Sequence, residues 1–323
     1  MKAVCFSAPG GPEVLRLEEV PDLEPGPRQL VMQVEAAGVN YIDLYQRAGQ
    51  YKTVLPFIPG QEAAGTVAAL GPGVSGFAVG DRVACYNGAL AAYAEYVLAP
   101  ADRVVRLPEG VSTEQGAAVM LQGMTAHYLA CTTYPLKPGD TCLVHAAAGG
   151  TGLLLCQIAR KRGARVIGTV STAAKEALAR AAGAHEVIRY TETDFVAAVR
   201  GLTGGAGVQV IYDSVGRTTF DAGLRCLVRR GMMVLFGQSS GPVEPFDPQV
   251  LNQRGSLFLT RPTLAHYVET RAELEQRAGE ILGWIRDGSL TVRIDRIIPL
   301  AQAAEAHRAL ESRTTAGKVL LRP

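Results

Sequence analysis

Charge is scarce in this chain of 323 residues. Asp, Glu, Lys and Arg make up 19% of it, against a usual ~25%, and 32 basic side chains nearly balance 30 acidic ones. A net charge of +2 offers no basic footprint for nucleic acid, so an RNA-associating or purely structural protein stays a distant alternative. Lysine is scarcer still, 6 of the 32 basic residues, which makes each one informative. The six cysteines (5, 85, 131, 142, 156 and 226) show no C-x-x-C and no paired spacing; that excludes a disulfide framework and points to a reduced, cytoplasmic setting. Nor is there a cluster of four cysteines for a structural zinc, and the five histidines (127, 145, 185, 266, 307) lie far apart, so no metal site is expected. The first residues read as a strand, with no leader segment. The longest apolar run, residues 142–159, contains His145, Gly149, Gly150, Gly152 and Gln157, which suits a buried strand, loop and helix rather than a membrane span.

What is abundant is apolar residues, 48%, and glycine, 36 of 323 against a typical ~7%. That balance suits a well-buried α/β chain of roughly two domains. Over the first ~120 residues, short alternating runs (14–20, 30–39, 65–70, 81–86, 93–98) are punctuated by prolines, the pattern of a β-rich unit. From Gly123 the rhythm changes. Strand-like runs at 141–146, 164–170, 186–190, 208–214 and 232–236 alternate with helical ones at 150–162, 173–182, 194–202 and 220–230, as βαβ units with a parallel sheet require. Residues 256–260 add a strand. A long polar helix is expected from Pro262 through Ile285, then a strand (292–298), a short helix (300–312) and a last strand (318–321). These closing pieces have too little apolar surface to stand alone and are expected to return to the first unit.

The most informative segment is His145-Ala146-Ala147-Ala148-Gly149-Gly150-Thr151-Gly152, directly after a predicted strand. It reads A-x-G-x-x-G through Ala147, Gly149 and Gly152. Gly149 admits a pyrophosphate close to the backbone, Gly152 admits the helix close to the strand, and the helix start offers N–H groups to phosphate. The alternative is a mere tight turn; the position at the head of a βαβ series favours the cofactor. In NAD-binding units an acidic residue ends the second strand and takes the ribose 2′-hydroxyl. Here that strand ends in Ser171-Thr172, and Lys175 follows one turn later. Hydroxyls and an ammonium suit a 2′-phosphate, so NADPH is expected over NADH. A solvated Lys175 is the plain alternative, although helix starts disfavour cations.

Gly10–Leu15, Asn40-Tyr41-Ile42-Asp43, Gly80-Asp81-Arg82-Val83, Ala146–Gly152, Tyr212-Asp213-Ser214-Val215-Gly216, Asn252–Ser256, Thr260-Arg261-Pro262 and Glu311-Ser312-Arg313 together resemble the zinc-independent quinone oxidoreductases of the medium-chain dehydrogenase/reductase superfamily, relatives of ζ-crystallin. The resemblance covers essentially the whole chain. It implies a GroES-like catalytic domain built from residues 1–122 and 264–323, a doubly wound Rossmann domain at 123–263, NADPH-dependent quinone reduction, and a homodimer. It implies Lys175, Tyr190 and Arg313 around the 2′-phosphate. Asn40, Thr125, Gly149, Gly150, Thr151 and Ser214 would line the cofactor, with Phe236, Gly237, Gln238, Thr260 and Arg261 on the nicotinamide side. Ser171 stands where glycine is common and adds a phosphate contact; Gln238 replaces a more usual Asn. At the two positions where this architecture often carries zinc ligands, the chain has Asn40 and Gln61.

Quinone reduction has less need of a metal than alcohol oxidation. An alkoxide is about as basic as hydroxide, from water of pKa ~15.7, while a reduced quinone resembles a phenolate of pKa ~10. The gap of ~6 units is roughly 8 kcal/mol of charge stabilisation, within reach of a few hydrogen-bond donors. Tyr45 and Tyr51 are candidate quinone contacts or proton sources, or else ordinary half-buried tyrosines. Asn40, the third catalytic candidate, and Asp43 are placed to anchor the nicotinamide ribose or a water. Arg261 either meets a developing oxyanion or holds its own loop. A reductase of enones or enoyl-thioesters is the alternative enzyme.

Overall fold

The mostly apolar residues 29–39 build the longest strand of the protein, buried almost throughout. The computed structural model describes all 323 residues, in two units: Met1–Met124 with Val268–Pro323, and Thr125–Tyr267. The first begins with a hairpin of β1 (Lys2–Cys5) and β2 (Arg16–Glu19). Then come β3 (Gln29–Val39), α1 (Tyr41–Arg47), β4 (Glu62–Leu70), β5 (Arg82–Tyr86), β6 (Tyr96–Pro100) and β7 (Val104–Arg106). β3 pairs antiparallel with both β4 and β6, bringing Ala37 opposite Ala63 and Leu30 opposite Ala99. Asn40 starts α1: its backbone N–H donates to the Asp43 carboxylate, and its own carbonyl accepts from the Asp43 N–H. A further helix, α2 (Thr113–Val119), is missing from the β-rich expectation. Its signal is Ser112 with Gln115 three residues on, whose side chains cap each other. α3 (Gln122–Tyr128) follows.

The second unit is a six-stranded parallel sheet. It runs β8 (Thr141–Val144), α4 (Gly150–Lys161), β9 (Arg165–Val170), α5 (Ala173–Ala181), β10 (Glu186–Arg189), α6 (Phe195–Leu202), β11 (Val208–Asp213), α7 (Phe220–Leu224), β12 (Leu227–Leu235), α8 (Gln249–Gln253) and β13 (Phe258–Thr260). The order β10-β9-β8-β11-β12-β13, with every pair parallel, is that of a Rossmann fold, and the sheet reverses direction of growth between β8 and β11. The expected helix at 220–230 ends early: α7 has five residues and β12 starts at Leu227. Leu227 is buried in the core beneath the sheet, and an apolar run of this length does not distinguish helix from strand. The strand breaks register at Arg230, which has φ +59°.

The chain then returns to the first unit with α9 (Arg271–Arg286), β14 (Ile294–Pro299), α10 (Ala303–Glu311) and β15 (Lys318–Arg322). The helix expected from Pro262 begins only at Arg271, after a short 3-10 turn, because Thr270 and Glu273 form a capping box there. β15 pairs antiparallel with the C-terminal end of β3, beyond the stretch paired with β6, setting Val319 opposite Val39, so strands from both chain ends share one sheet over a core that includes Leu30, Met32, Val97, Val319 and Leu321. No helix is long and apolar enough to cross a membrane.

Candidate functional site

In a parallel sheet all strand C-termini lie along one edge, where ligands of open α/β sheets bind. That edge gathers most of the second unit's expected residues: Gly149, Gly150 and Thr151 after β8, Ser171 after β9, Tyr190 after β10, Ser214 after β11, Phe236, Gly237 and Gln238 after β12, and Thr260 and Arg261 at the end of β13. Lys175 lies in the first turn of α5, whose cap is the Thr172 hydroxyl. Thr125 comes instead from α3, where it is buried. Arg261 donates to the adjacent Pro262 carbonyl at 3.4 Å.

The glycines at this edge have steric reasons. A Cβ on Gly152 would sit 2.3 Å from the Ala146 carbonyl oxygen, and one on Gly237 2.7 Å from that of Ser214. Only their absence lets α4 and the β12 loop approach so closely. α4 starts at Gly149 with no side-chain cap, so its first N–H groups are available to an anion. The turn after β11 is held by Asp213, whose carboxylate accepts from the N–H groups of Val215 and Gly216 and from the Thr219 hydroxyl at 2.7–3.0 Å. β9 ends in Ser171-Thr172, two hydroxyl residues where an acidic one would take a ribose 2′-hydroxyl. The nearby acid on α5, Glu176, is engaged by Arg180 and Arg189. These residues fit a dinucleotide carrying a 2′-phosphate: a cradle that side chains would fill, a free helix start, and hydroxyl and ammonium groups.

The first unit holds a second concentration of polar groups, and here the side chains are buried. Lys318, at the start of β15, is 1% exposed and points its ammonium at the Val39 carbonyl (3.1 Å), Asn40 Oδ1 (2.9 Å) and Glu62 Oε1 (2.5 Å). Glu62, 0% exposed, also accepts from Asn40 Nδ2 at 2.7 Å and from the Leu121 N–H. Gln122 donates to Asn40 Oδ1 at 3.1 Å. On the far side of the Asn40 cap, Asp43 Oδ2 accepts from the Asn40 N–H (2.8 Å) and the Tyr93 hydroxyl (3.1 Å). Tyr93 meets His307 Nε2 at 3.0 Å, and His307 Nδ1 faces Arg47 Nη1 at 3.2 Å. Arg47 is anchored by Glu311.

Donor and acceptor counting sets the direction of this chain. Arg47 only donates, so His307 Nδ1 accepts; Nε2 then carries the hydrogen and donates to Tyr93, whose hydroxyl donates to Asp43. Burial and the neighbouring Arg47 charge lower His307 to a pKa of about 3, keeping it neutral. Burial also raises Asp43 to about 7, against hydrogen bonds from Asn40 and Tyr93 and the charge of Lys318. Asp43 Oδ1 has no partner.

Of the first unit's expected residues, Asn40 and Asp43 therefore sit inside a buried network. Tyr45 and Tyr51 are brought together, ring centroids 5.6 Å apart and edge to face, and Tyr45 leans on Tyr41 at 6.1 Å. Arg313 follows α10 with φ +56°. His145 is buried, and its Nδ1 meets the Thr169 hydroxyl at 2.9 Å, while Nε2 has no partner. Sequence reasoning missed Arg47, Tyr93, Gln122, His307 and Lys318, and noticed Glu62 only as a neighbour of Gln61. One signal was legible: Lys318 stands directly before three apolar residues, Val319-Leu320-Leu321, in a chain with few lysines.

The donor set at Asn40 does not fit zinc. The ion takes thiolate, imidazole or carboxylate ligands, whereas Asn40 Oδ1 and Glu62 Oε1 are both bonded to an ammonium. No group of three or more His, Cys, Asp or Glu side chains converges to hold a metal.

Comparison with known proteins places these observations. Residues 26–109 match the family model described as alcohol dehydrogenase GroES-like domain, and residues 182–321 the one described as zinc-binding dehydrogenase. A quinone oxidoreductase of Pseudomonas aeruginosa is 45% identical over 323 residues, 100% of this chain and 99% of the relative. The crystal structure of Escherichia coli quinone oxidoreductase complexed with NADPH superposes with a TM-score of 0.98 at 44% identity, covering 100% of both chains. A 2-haloacrylate reductase of a Burkholderia species is 41% identical over 328 residues, 99% of this chain and 98% of the relative.

Proposed function

This chain belongs to the quinone oxidoreductase family of medium-chain dehydrogenases/reductases, and from that premise we propose that it reduces quinones with NADPH, without a metal. One observation carries the reading: the strand ends of a dinucleotide-binding sheet are retained, while an ammonium ion, Lys318, is bonded to Asn40 and Glu62 in a family whose model is described as zinc-binding. NADPH supplies the hydride when bound. The chain's own residues do the rest. Gly149, Gly150 and Thr151 receive the pyrophosphate at the start of α4, and Ser171, Lys175 and Tyr190 take the 2′-phosphate. Thr125, Ser214, Phe236, Gly237, Gln238, Thr260 and Arg261 line the nicotinamide side, while Asn40 and Asp43 are held within the buried network of the first unit. Tyr45 and Tyr51 face the quinone. The phenolate-like oxyanion left by hydride addition is within reach of neutral donors.

Stopped-flow oxidation of NADPH by 1,2- and 1,4-quinones tests this, with turnover expected to survive a zinc chelator. Turnover no faster than a heat-killed control would overturn it. The likeness to a 2-haloacrylate reductase favours a second reading, reduction of an activated alkene, so haloacrylates and enones belong in the same series. We also infer a homodimer paired along β13, one of the two edges of the parallel sheet, where Phe258 is 56% exposed. Six thiols without a disulfide suit the reducing cytoplasm. Light scattering of the purified protein checks the dimer.

A further inference from the structure

Asn40 and Gln122 form a row of two side-chain amides whose orientations are not free. Turning Asn40 over would set its NH2 group against the Lys318 ammonium and its oxygen against the Glu62 carboxylate. With Asn40 held, Gln122 must present Nε2 to Asn40 Oδ1, because the opposite orientation sets two oxygens together. The buried ion pair thus dictates both amides.

Asn40 is left with nothing spare. Its Nδ2 donates to Glu62 and, at 3.4 Å, to the Gly38 carbonyl, and its Oδ1 accepts from Lys318 and Gln122. Gln122 is different. One of its two N–H bonds is used, and its Oε1 is buried without a partner. Carboxylate, Asn40 amide and Gln122 amide stand head to tail, each polarising the next, so that the unpartnered Oε1 is the electron-rich end of the row. A buried acceptor without a donor is costly to keep, and beside it one N–H is unused.

We propose that Gln122 is a catalytic residue whose free N–H meets the carbonyl oxygen of the quinone and whose Oε1 accepts from the hydroxyl once that oxygen is protonated, Lys318, Glu62 and Asn40 being its positioning residues. This deepens the quinone reading and rests on it. One amide serves both redox states of the substrate because it carries a donor and an acceptor side by side. Quinone, NADPH and one proton become hydroquinone and NADP+. The two electrons travel with the hydride, the proton comes from solvent, and Gln122 ends unchanged.

The experiment compares wild type, Gln122→Leu and the near-isosteric Gln122→Glu over quinones whose reduced oxyanions span several pKa units, with NADPH dissociation constants by fluorescence. Removing one oxyanion donor costs about 10²–10³ in rate. Gln122→Leu is therefore expected to lose about 100-fold in kcat/KM with the most basic oxyanion and progressively less with electron-poor quinones, while NADPH binding stays within about twofold. Gln122→Glu is expected to work at acid pH, where its carboxyl still donates, and to fail as it ionises, a pH dependence absent from wild type. Equal losses for all quinones, or no loss, with a flat Gln122→Glu profile, would overturn the proposal. A wild type that does not reduce quinones would overturn the underlying reading as well, so the two failures are distinguishable.

Discussion

At the strand ends of the second unit the site is shaped by backbone and by missing side chains, while in the first unit it is shaped by buried charged groups. Asp213 and Asp43 display the contrast. Both are 0% exposed. Asp213 is saturated by two backbone N–H groups and a hydroxyl, and does nothing beyond holding a turn. Asp43 keeps one oxygen unpartnered and titrates at about 7. A phosphate cradle needs fixed N–H groups, which backbone supplies at no desolvation cost beyond that of the fold. Orienting amides around a small oxygen atom needs fixed side chains, and fixing those needs an internal charge pair.

The largest way to break the comparison is to remove the cation of the first unit. Lys318→Met strands Glu62 as a buried, unpaired carboxylate, and losing one partner of such a pair costs about 3–5 kcal/mol. Urea unfolding should show that loss, and the double variant Lys318→Met/Glu62→Gln should be more stable than Lys318→Met alone. If the two are equal, the charge pair is not what the network rests on.

Next in size is a pH effect that wild type conceals. Between about pH 4 and 6.5 the native protein holds a proton on Asp43 that the unfolded chain has released, so this group makes stability fall as pH rises. Over much the same window the unfolded chain holds a proton on His307 that the native state refuses, so this group makes stability rise with pH. The slopes are opposite, each about 1.4 kcal/mol per pH unit, and cancel. Asp43→Asn should therefore lose stability on acidification, and His307→Gln should gain it, by urea midpoints at four or five pH values. Parallel profiles for the two variants would show that the Tyr93 bridge does not join groups with these protonation states.

The contrast between the units also explains what could be read in advance. The parallel sheet and its glycine turn were legible because they are local: Thr141–Val144, the turn and α4 lie within about twenty residues, and glycine spacing records close backbone approach. Lys318, Glu62, Asn40, Gln122, Tyr93 and His307 are contributed by segments up to 278 residues apart, and no spacing rule connects them. His307 sits in a short helix, where a buried histidine cannot be told from a solvated one. α7 and β12 were misdivided for another reason: Leu224, Cys226 and Leu227 face the same core, so apolar periodicity there has neither period. α2 was missed although Ser112 and Gln115 spell its cap, because the surrounding prolines suggested strands and turns.

The smallest expected effect on folding is at the other informative lysine. Lys175 is half-buried in the first turn of α5, unlike Lys318 inside the sheet. A surface substitution away from caps and cores stays within about 0.5 kcal/mol, and the Thr172 cap bonds the Lys175 backbone, which alanine retains. Lys175→Ala should therefore unfold like wild type. Its effect belongs to the ligand: a charge-assisted contact to phosphate is worth about 1.5–3 kcal/mol, roughly 10- to 150-fold in the NADPH dissociation constant. NADH lacks the 2′-phosphate and should bind as before. Titrating both cofactors by fluorescence gives the ratio directly. Equal weakening of the two would move the phosphate away from the end of β9, and with it the distinction between a lysine that serves the fold and one that serves the ligand.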